Sequence, residues 1–281
     1  MKQYSRVLTI AGSDPTGGAG IQADIKTISA LGCYASSAIT SVVNENTVGV
    51  YGVHDIPADM VVGQITSVLD DIGADAIKIG MLHSPELVHA VADLLRDRQF
   101  KNVVLDPVMV ATSGGDLMLD ETIDVLRKEL IPHARIITPN IPETERLLGG
   151  RSIKSVDDMK DAASELTDMG TSVLLKGGHL TGDVMIDVLC NSETMQRLEL
   201  PSDKVKTNNT HGTGCTLSSA IASGLALGKS LTPAVVFAKQ YITDAIVAGA
   251  EFEIGKGNGP VCHFFNNSKF LFGQTILLRI V

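Results

Sequence analysis

The 281 residues are 44% hydrophobic and 20% charged, a balance that excludes intrinsic disorder. Lys and Arg number 23 against 32 Asp and Glu, a net charge of −9. That sign argues against a nucleic-acid partner, which needs a basic footprint, but leaves room for phosphate held locally by helix N-termini. Cys33, Cys190, Cys215 and Cys262 lie far apart with no CxxC, which suits a reducing compartment. The apolar stretch between Arg6 and Gly12 is too short for a signal peptide, and no run approaches the roughly 18 apolar residues of a membrane span. The expectation is a soluble cytoplasmic protein with no membrane segment.

Residues 7–11 read as a first buried strand. A helix follows with Ile21, Ile25, Ile28 and Leu31 on one face. Met60, Ile65, Val68 and Leu69 mark a second helix, residues 76–79 a strand, and Leu87, Val91, Leu94 and Leu95 a third helix. Further short apolar runs stand at 103–105, 136–138 and 173–175. Two β-like segments between 184 and 200, separated by Asn191 and Ser192, suit a hairpin. Two long helices close the pattern, around 215–227 and 233–250. This βαβα alternation predicts an α/β fold with a mostly parallel sheet covered on both faces. No linker, repeat or low-complexity stretch divides the chain, so one domain is the simpler reading.

Ligands of open α/β sheets bind outside the carboxyl ends of the strands. The glycines, prolines and acidic residues collect at those ends. GSDPTGGAG (residues 12–20) joins a strand to a helix, where glycines let backbone approach a ligand and the helix start offers N–H groups. It is neither a Walker A nor a GxGxxG sequence, and the plain alternative is a tight turn. THGTGCTLS (210–218) opens a later helix, with Cys215 in its first turn. A helix N-terminus lowers a thiol's pKa, whereas most free cysteines are buried and inert; both readings stay open. SGLALGKS (223–230) resembles a P-loop but follows a helix, so Gly228 and Lys229 read as a helix stop. Asp106, Asn140, Glu143 and Lys176 stand singly after buried strands. Mg²⁺ is usually held by one or two carboxylates with phosphates and water, and a nearby lysine neutralises phosphate charge. Taken singly, each is more often a cap or a surface charge; the force of the reading comes from all of them lying at the same edge of one sheet. The seven histidines lack zinc spacing. His211 carries the most weight because it abuts the glycine loop.

In series, IAGSDPTGGAGIQADIKT, KIGML, VVLDPVM, TPNIPE, KGGH, NTHGTGC and GKGNGPV resemble the hydroxymethylpyrimidine/phosphomethylpyrimidine kinase family of the ribokinase-like superfamily. The resemblance runs from about Val7 to Phe264. It implies a three-layer α/β/α ribokinase-like fold with a central, mostly parallel sheet, in a kinase domain of residues 1–265. Residues 266–281 form a tail outside the family pattern. It also implies a homodimer that uses ATP and Mg²⁺ to phosphorylate 4-amino-5-hydroxymethyl-2-methylpyrimidine and then its monophosphate, in thiamine biosynthesis. Gly212, Gly214 and Cys215 would form the anion hole, with Cys215 where related sugar kinases carry an aspartate base. Lys176 would contact the ATP phosphates. Asp106 and Glu143 would organise Mg²⁺, mostly through water, with Asn140 beside them at the ATP site. Thr210 and Lys239 are further ATP contacts. Asp24 and Glu45 would lie near the pyrimidine, and Gly12, Met81 and Val108 would line its pocket.

Many relatives carry Gln where this chain has Glu45. Gln offers a donor and an acceptor to an aminopyrimidine edge, while an ionised Glu only accepts. Either the Glu or the ring nitrogen then carries a proton, or only the exocyclic amine is contacted. Two other functions compete: a pyridoxal kinase on the same frame, and a sensor that binds pyrimidine without turnover. TSGGDL (112–117) is a candidate lid.

Overall fold

A computed structural model describes residues 3–109 and 118–266. In chain order the elements are β1 (Arg6–Ala11), α1 (Gly20–Ala30), β2 (Tyr34–Ile39), β3 (Ser41–Glu45), β4 (Val50–Asp55), α2 (Ala58–Asp71), β5 (Ala76–Ile79), α3 (Pro85–Arg98), β6 (Val103–Leu105) and α4 (Asp120–Val125). There follow β7 (Ile136–Ile137), α5 (Ile141–Leu147), α6 (Val156–Thr167), β8 (Ser172–Leu175), β9 (Val184–Asn191), β10 (Gln196–Asp203), α7 (Thr213–Ala226) and α8 (Leu231–Gly249).

The central strands β1 and β5 to β8 are predominantly apolar because both faces of the sheet are covered. Successive strand residues point to opposite faces. Leu8, Ile77, Leu105 and Val173 join one core with Val61 and Ile65 of α2, Leu87 and Val91 of α3, and Leu166 of α6. Their neighbours Val7, Ala76, Val104 and Leu174 join a second core with Ile28 of α1, Ile221 of α7 and Ala238 of α8. The result is the expected three-layer α/β/α arrangement.

Among the described residues the main sheet has eight strands in the order β10-β9-β8-β7-β6-β5-β1-β2. It is parallel from β2 through β8, and β9 and β10 add an antiparallel edge. The chain moves outward from β1 to β2, then returns to set β5 on the other side of β1. Strand order reverses there, which makes the carboxyl ends of β1 and β5 the natural ligand crevice. β3 and β4 form a separate antiparallel ribbon beside it.

All five strands expected from apolar runs are present, and so are the hairpin and both late helices. Three details differ. Thr138 lies just past β7, and its hydroxyl turns to Asp106. Ile25 and Met60 point to solvent, because α1 buries the polar Asp24 and Thr27 and α2 buries Val61 and Ile65. β2, β3 and β4 had no counterpart in the sequence reading; their sequences YASSAI, SVVNE and VYGVHD are too polar and small to announce buried strands. Gly228 has a positive φ just after α7, the expected helix stop. The candidate lid at 112–117 and nearly all of the tail lie outside the described residues.

Candidate active site

The loop after β1 is organised around one carboxylate. Asp14 accepts hydrogen bonds from the backbone of Thr16 at 2.7 Å, Gly18 at 2.9 Å and Ala19 at 2.6 Å, and from the Thr16 hydroxyl at 2.9 Å. The N–H groups of Gly18 and Ala19, which a ligand was expected to find free, are therefore engaged. The ring of His211 supplies another donor, because a carboxylate can only accept: Nε2–H reaches Asp14 Oδ2 at 2.9 Å. Burial opposes this charge, but the donors outweigh it and hold Asp14 well below the usual carboxylate range.

That same contact joins two loops. Gly212, with φ of 77°, starts α7 directly against Gly18, and a side chain there would overlap the Gly18 carbonyl. His211 lies across Gly18 as well. The starts of α1 and α7 thus face each other with only glycine between them. Cys215 lies in this seam, with the backbone N–H of Gly20 at its sulfur. It is only partly accessible, and desolvation pushes its thiol up to about 11, with Lys78 pulling the other way. Of the two readings of Cys215, burial wins over the helix N-terminus: the group is a thiol at neutral pH.

The second cluster lies at the ends of β6, β7 and β8. Lys176 Nζ donates to Asp106 Oδ1 at 2.8 Å, and the Thr138 hydroxyl donates to the same oxygen at 2.9 Å. Oδ2 has a long contact with the Ser218 hydroxyl at 3.4 Å. A Cβ on Gly214 would stand 3.2 Å from both Asp106 Oδ2 and Lys176 Nζ, so the missing side chain opens the first turn of α7 onto this pair. Glu143 closes the cluster, with Oε2 3.9 Å from Lys176. It is held by a capping box: Asn140 N–H donates to Glu143 Oε2 at 2.7 Å and Glu143 N–H to Asn140 Oδ1 at 2.9 Å. Burial and the Asp106 charge push Glu143 up to about 7, against Lys176. Burial also works against Asp106, yet Lys176 and Lys78 hold it below its ordinary value. Two carboxylates around one lysine, with Asp106 Oδ2 only weakly engaged, are a donor set that fits Mg²⁺ held largely through water.

Gly12 packs tightly at the end of β1: a Cβ there would stand 2.7 Å from both Met81 Cε and Ser41 Oγ. Val108, half-buried, follows Asp106 and donates its N–H to the Asp106 carbonyl. Glu45 ends β3 at a register irregularity between Asn44 and Glu45, the kind of bulge that re-aims a side chain. Its carboxylate gathers with those of Asp14 and the His211 ring, all ligand atoms within 4.8 Å. The donors already on Asp14 make this a proton-sharing group more than a metal site.

Asp24 departs from its expected place beside the pyrimidine. It is fully buried: Oδ2 accepts from Lys78 at 2.8 Å and Thr9 at 2.6 Å, and Oδ1 accepts from Ser219 at 2.7 Å. An enclosed carboxylate with both oxygens engaged offers a substrate nothing. Lys78, which the sequence reading passed over, is its counter-charge; burial disfavours the ammonium, but Asp24, Cys215 and Asp106 together raise its pKa. Lys239 is set back from Asp106. It donates to Asp187 Oδ2 at 2.7 Å, and Asp187 Oδ1 accepts the Gly177 N–H, which ties α8 to the residue after Lys176. Beside Lys239 a groove of about 410 Å³ runs between β10 and α8, lined by Leu200, Pro201, Val236, Thr243 and Val247. Thr210 is exposed at the turn before His211. A cavity of about 520 Å³ near Arg135 opens before β6 and β7, at the opposite ends of the strands, with Arg135 already paired to Glu193.

The family model for phosphomethylpyrimidine kinase matches residues 14–262. The hydroxymethylpyrimidine/phosphomethylpyrimidine kinase of Rhizobium meliloti is 48% identical over 92% of this chain and 96% of its own length. The chain spans about half the length of some other curated relatives, which are bifunctional thiamine-biosynthesis proteins. Among solved structures, phosphomethylpyrimidine kinase from Clostridium difficile superposes with a TM-score of 0.75 at 45% identity, over 86% of this chain and 99% of that one. Pyridoxal kinase from Bacillus subtilis, solved with ADP, gives 0.86 at 37% identity, over 94% and 99%.

The buried Asp24–Lys78 pair yields a stability test. Asp24→Asn leaves a buried ammonium short of its main counter-charge and is expected to lose about 3–5 kcal/mol in urea denaturation. The double replacement Asp24→Leu, Lys78→Met is expected to lose much less. Equal losses in single and double variants would refute the pairing.

Proposed function

The chain belongs to the phosphomethylpyrimidine kinase family, and from that premise we propose an ATP- and Mg²⁺-dependent kinase acting on 4-amino-5-hydroxymethyl-2-methylpyrimidine and on its monophosphate. The observation that carries the reading is the meeting of Asp106, Lys176 and the glycine-opened start of α7 at Gly214. Phosphoryl transfer asks a protein mainly for in-line positioning and for stabilised phosphate oxygens. N–H groups in the first turn of α7, which has no side-chain cap, would supply donors to a transferring phosphoryl group. Lys176 adds a positive charge to it. Mg²⁺, when bound, neutralises phosphate oxygens; Asp106 and Glu143 would hold it, with Asn140 fixing Glu143. Cys215 acts through its backbone N–H, since its thiol does not ionise near neutral pH. A loose transition state keeps the hydroxyl proton until late and needs no strong base.

Gly12, Met81, Val108 and Glu45 receive the pyrimidine ring, while the groove beside Lys239 receives the nucleotide, with Thr210 as a further contact. A nucleotide site agrees with the ADP bound to the Bacillus subtilis neighbour. A pyridoxal kinase is the second reading, favoured by that neighbour's higher TM-score. Two features support a homodimer. The β3–β4 ribbon stands apart from the main sheet, and Val42, Val48, Tyr51 and Val53 on it are exposed. A second copy seated there would cover the ribbon that carries Glu45. Four free cysteines suit the reducing cytoplasm, where ATP is available. Among the described residues no helix is long and apolar enough to cross a membrane. Residues 1–265 would form the catalytic domain, with the tail appended.

Incubation with ATP and Mg²⁺, with products resolved by mass, tests the substrate. Diphosphate is expected from the pyrimidine monophosphate; pyridoxal phosphate as the sole product would move the assignment to the second reading. A cation needs Glu143 ionised, so Mg²⁺ affinity is expected to fall about tenfold per pH unit below about 7. Glu143→Gln removes that limb and weakens Mg²⁺ by about 10–100-fold; a variant with the wild-type pH profile contradicts the assignment. In analytical ultracentrifugation a dimer is expected, and Val53→Lys should shift it towards monomer. A monomeric wild type would end the dimer proposal.

A further inference from the structure

Glu45 and Asp14 place two carboxyl groups and the His211 ring within 4.8 Å of one another. Two carboxylates this close do not both ionise without cost, so one of them tends to hold the proton. The surroundings decide which. Asp14 is 1% exposed and takes donors from Thr16, Gly18, Ala19 and His211, all of which favour its charged form. Glu45 sits half-buried at the bulged end of β3, facing that charge.

We infer that Asp14 is a positioning residue for substrate recognition: its fixed negative charge makes Glu45 the proton-carrying carboxyl, which then offers an aminopyrimidine edge one donor and one acceptor. A neutral carboxyl presents the same pair of groups as a carboxamide. The ring nitrogen accepts from the Glu45 O–H, and the amino group beside it donates to the Glu45 carbonyl oxygen. An ionised Glu45 would set lone pairs against the ring nitrogen. The inference rests on the pyrimidine reading above. Burial first and then the Asp14 charge raise the Glu45 pKa, a hydrogen bond between the two carboxyl groups adds to them, and His211 opposes them; on binding, the ring nitrogen takes the place of Asp14 as acceptor of the Glu45 O–H. The other charged groups on the elements around Glu45 are engaged elsewhere or are not among the influences on it. Lys26 of α1 donates to the Gly17 carbonyl, and Asp55 of β4 faces His83. His54 of β4 is exposed, as is Lys256, whose backbone N–H meets Thr47.

The sign follows directly. The binding form is the protonated one, so affinity is full below the Glu45 pKa and is lost as pH rises through it, by about tenfold per unit. Calorimetric titration of the full chain with 4-amino-5-hydroxymethyl-2-methylpyrimidine, from mildly acid to mildly alkaline pH, reads this. Glu45→Gln abolishes the alkaline fall. Asp14→Asn moves the fall to lower pH and so weakens binding at neutral pH, and adding Glu45→Gln to it restores the lost affinity. Should Asp14→Asn fail to fold, His211→Gln takes away the opposing neighbour and moves the fall to higher pH, a shift that damage to the loop would not give. The ultraviolet spectrum of the bound ligand is expected to be that of the neutral base. A pH-independent wild-type affinity, a protonated pyrimidine spectrum, or a double variant no better than Asp14→Asn would overturn the inference alone. No pyrimidine binding by any variant at any pH would instead overturn the substrate reading on which it rests.

Discussion

The whole site depends on two helix starts being brought face to face. α1 and α7 begin at Gly20 and Thr213, and the loops leading into them touch through Gly18 and Gly212. Each helix N-terminus carries about half a positive charge. Pointing two of them at one seam is unfavourable unless negative groups lie nearby. Asp14 sits at the junction and ties the loops together through His211. Asp24 of α1 reaches Ser219 of α7 one turn deeper. A net charge of −9 is therefore no obstacle to anionic ligands: the local field at the loops is set by helix ends, and most acidic residues lie elsewhere.

This constraint also bears on the Cys215 thiol, which burial pushes up to about 11. The seam leaves Cys215 only partly accessible. Desolvation penalises a thiolate more than the Gly20 N–H and Lys78 favour it. Position 215 places a small side chain against the start of α1, where the Gly20 N–H meets its sulfur.

Much of this was legible in the sequence. The strands with uninterrupted apolar runs could be read because a strand covered on both faces has no polar period. The site motifs could be read because they follow those strands. The missing parts have a common physical origin in long-range pairing. Lys78 lies in the middle of AIKI, a buried strand, and looks like an exception until Asp24, 54 positions away in sequence, supplies its partner. The same pairing turned Asp24 from an expected ligand contact into a core residue and rotated Ile25 outward. Asp14 looked like one more turn residue in a glycine loop. Its importance appears only when His211, 197 positions on, closes on it. Local sequence carries no record of which distant charge a buried charge will meet.

These pairings continue into the Asp106–Lys176 cluster as a chain of alternating sign: Asp24, Lys78, Asp106, Lys176, Glu143. Lys78 acts on both Asp24 and Asp106, and Lys176 on both Asp106 and Glu143. Three carboxylates and two ammonium groups leave one negative charge over. In a buried setting an excess charge is relieved by taking up a proton, and it falls on the last member, Glu143, which is pushed up to about 7. A divalent cation arriving with a nucleotide would relieve the same excess. The same logic operates at the other end of the crevice, where Asp14 is committed to its charge and Glu45 is left to carry the proton. In both places a charge-committed aspartate, fixed by donors from the fold, decides the protonation of a glutamate at the crevice.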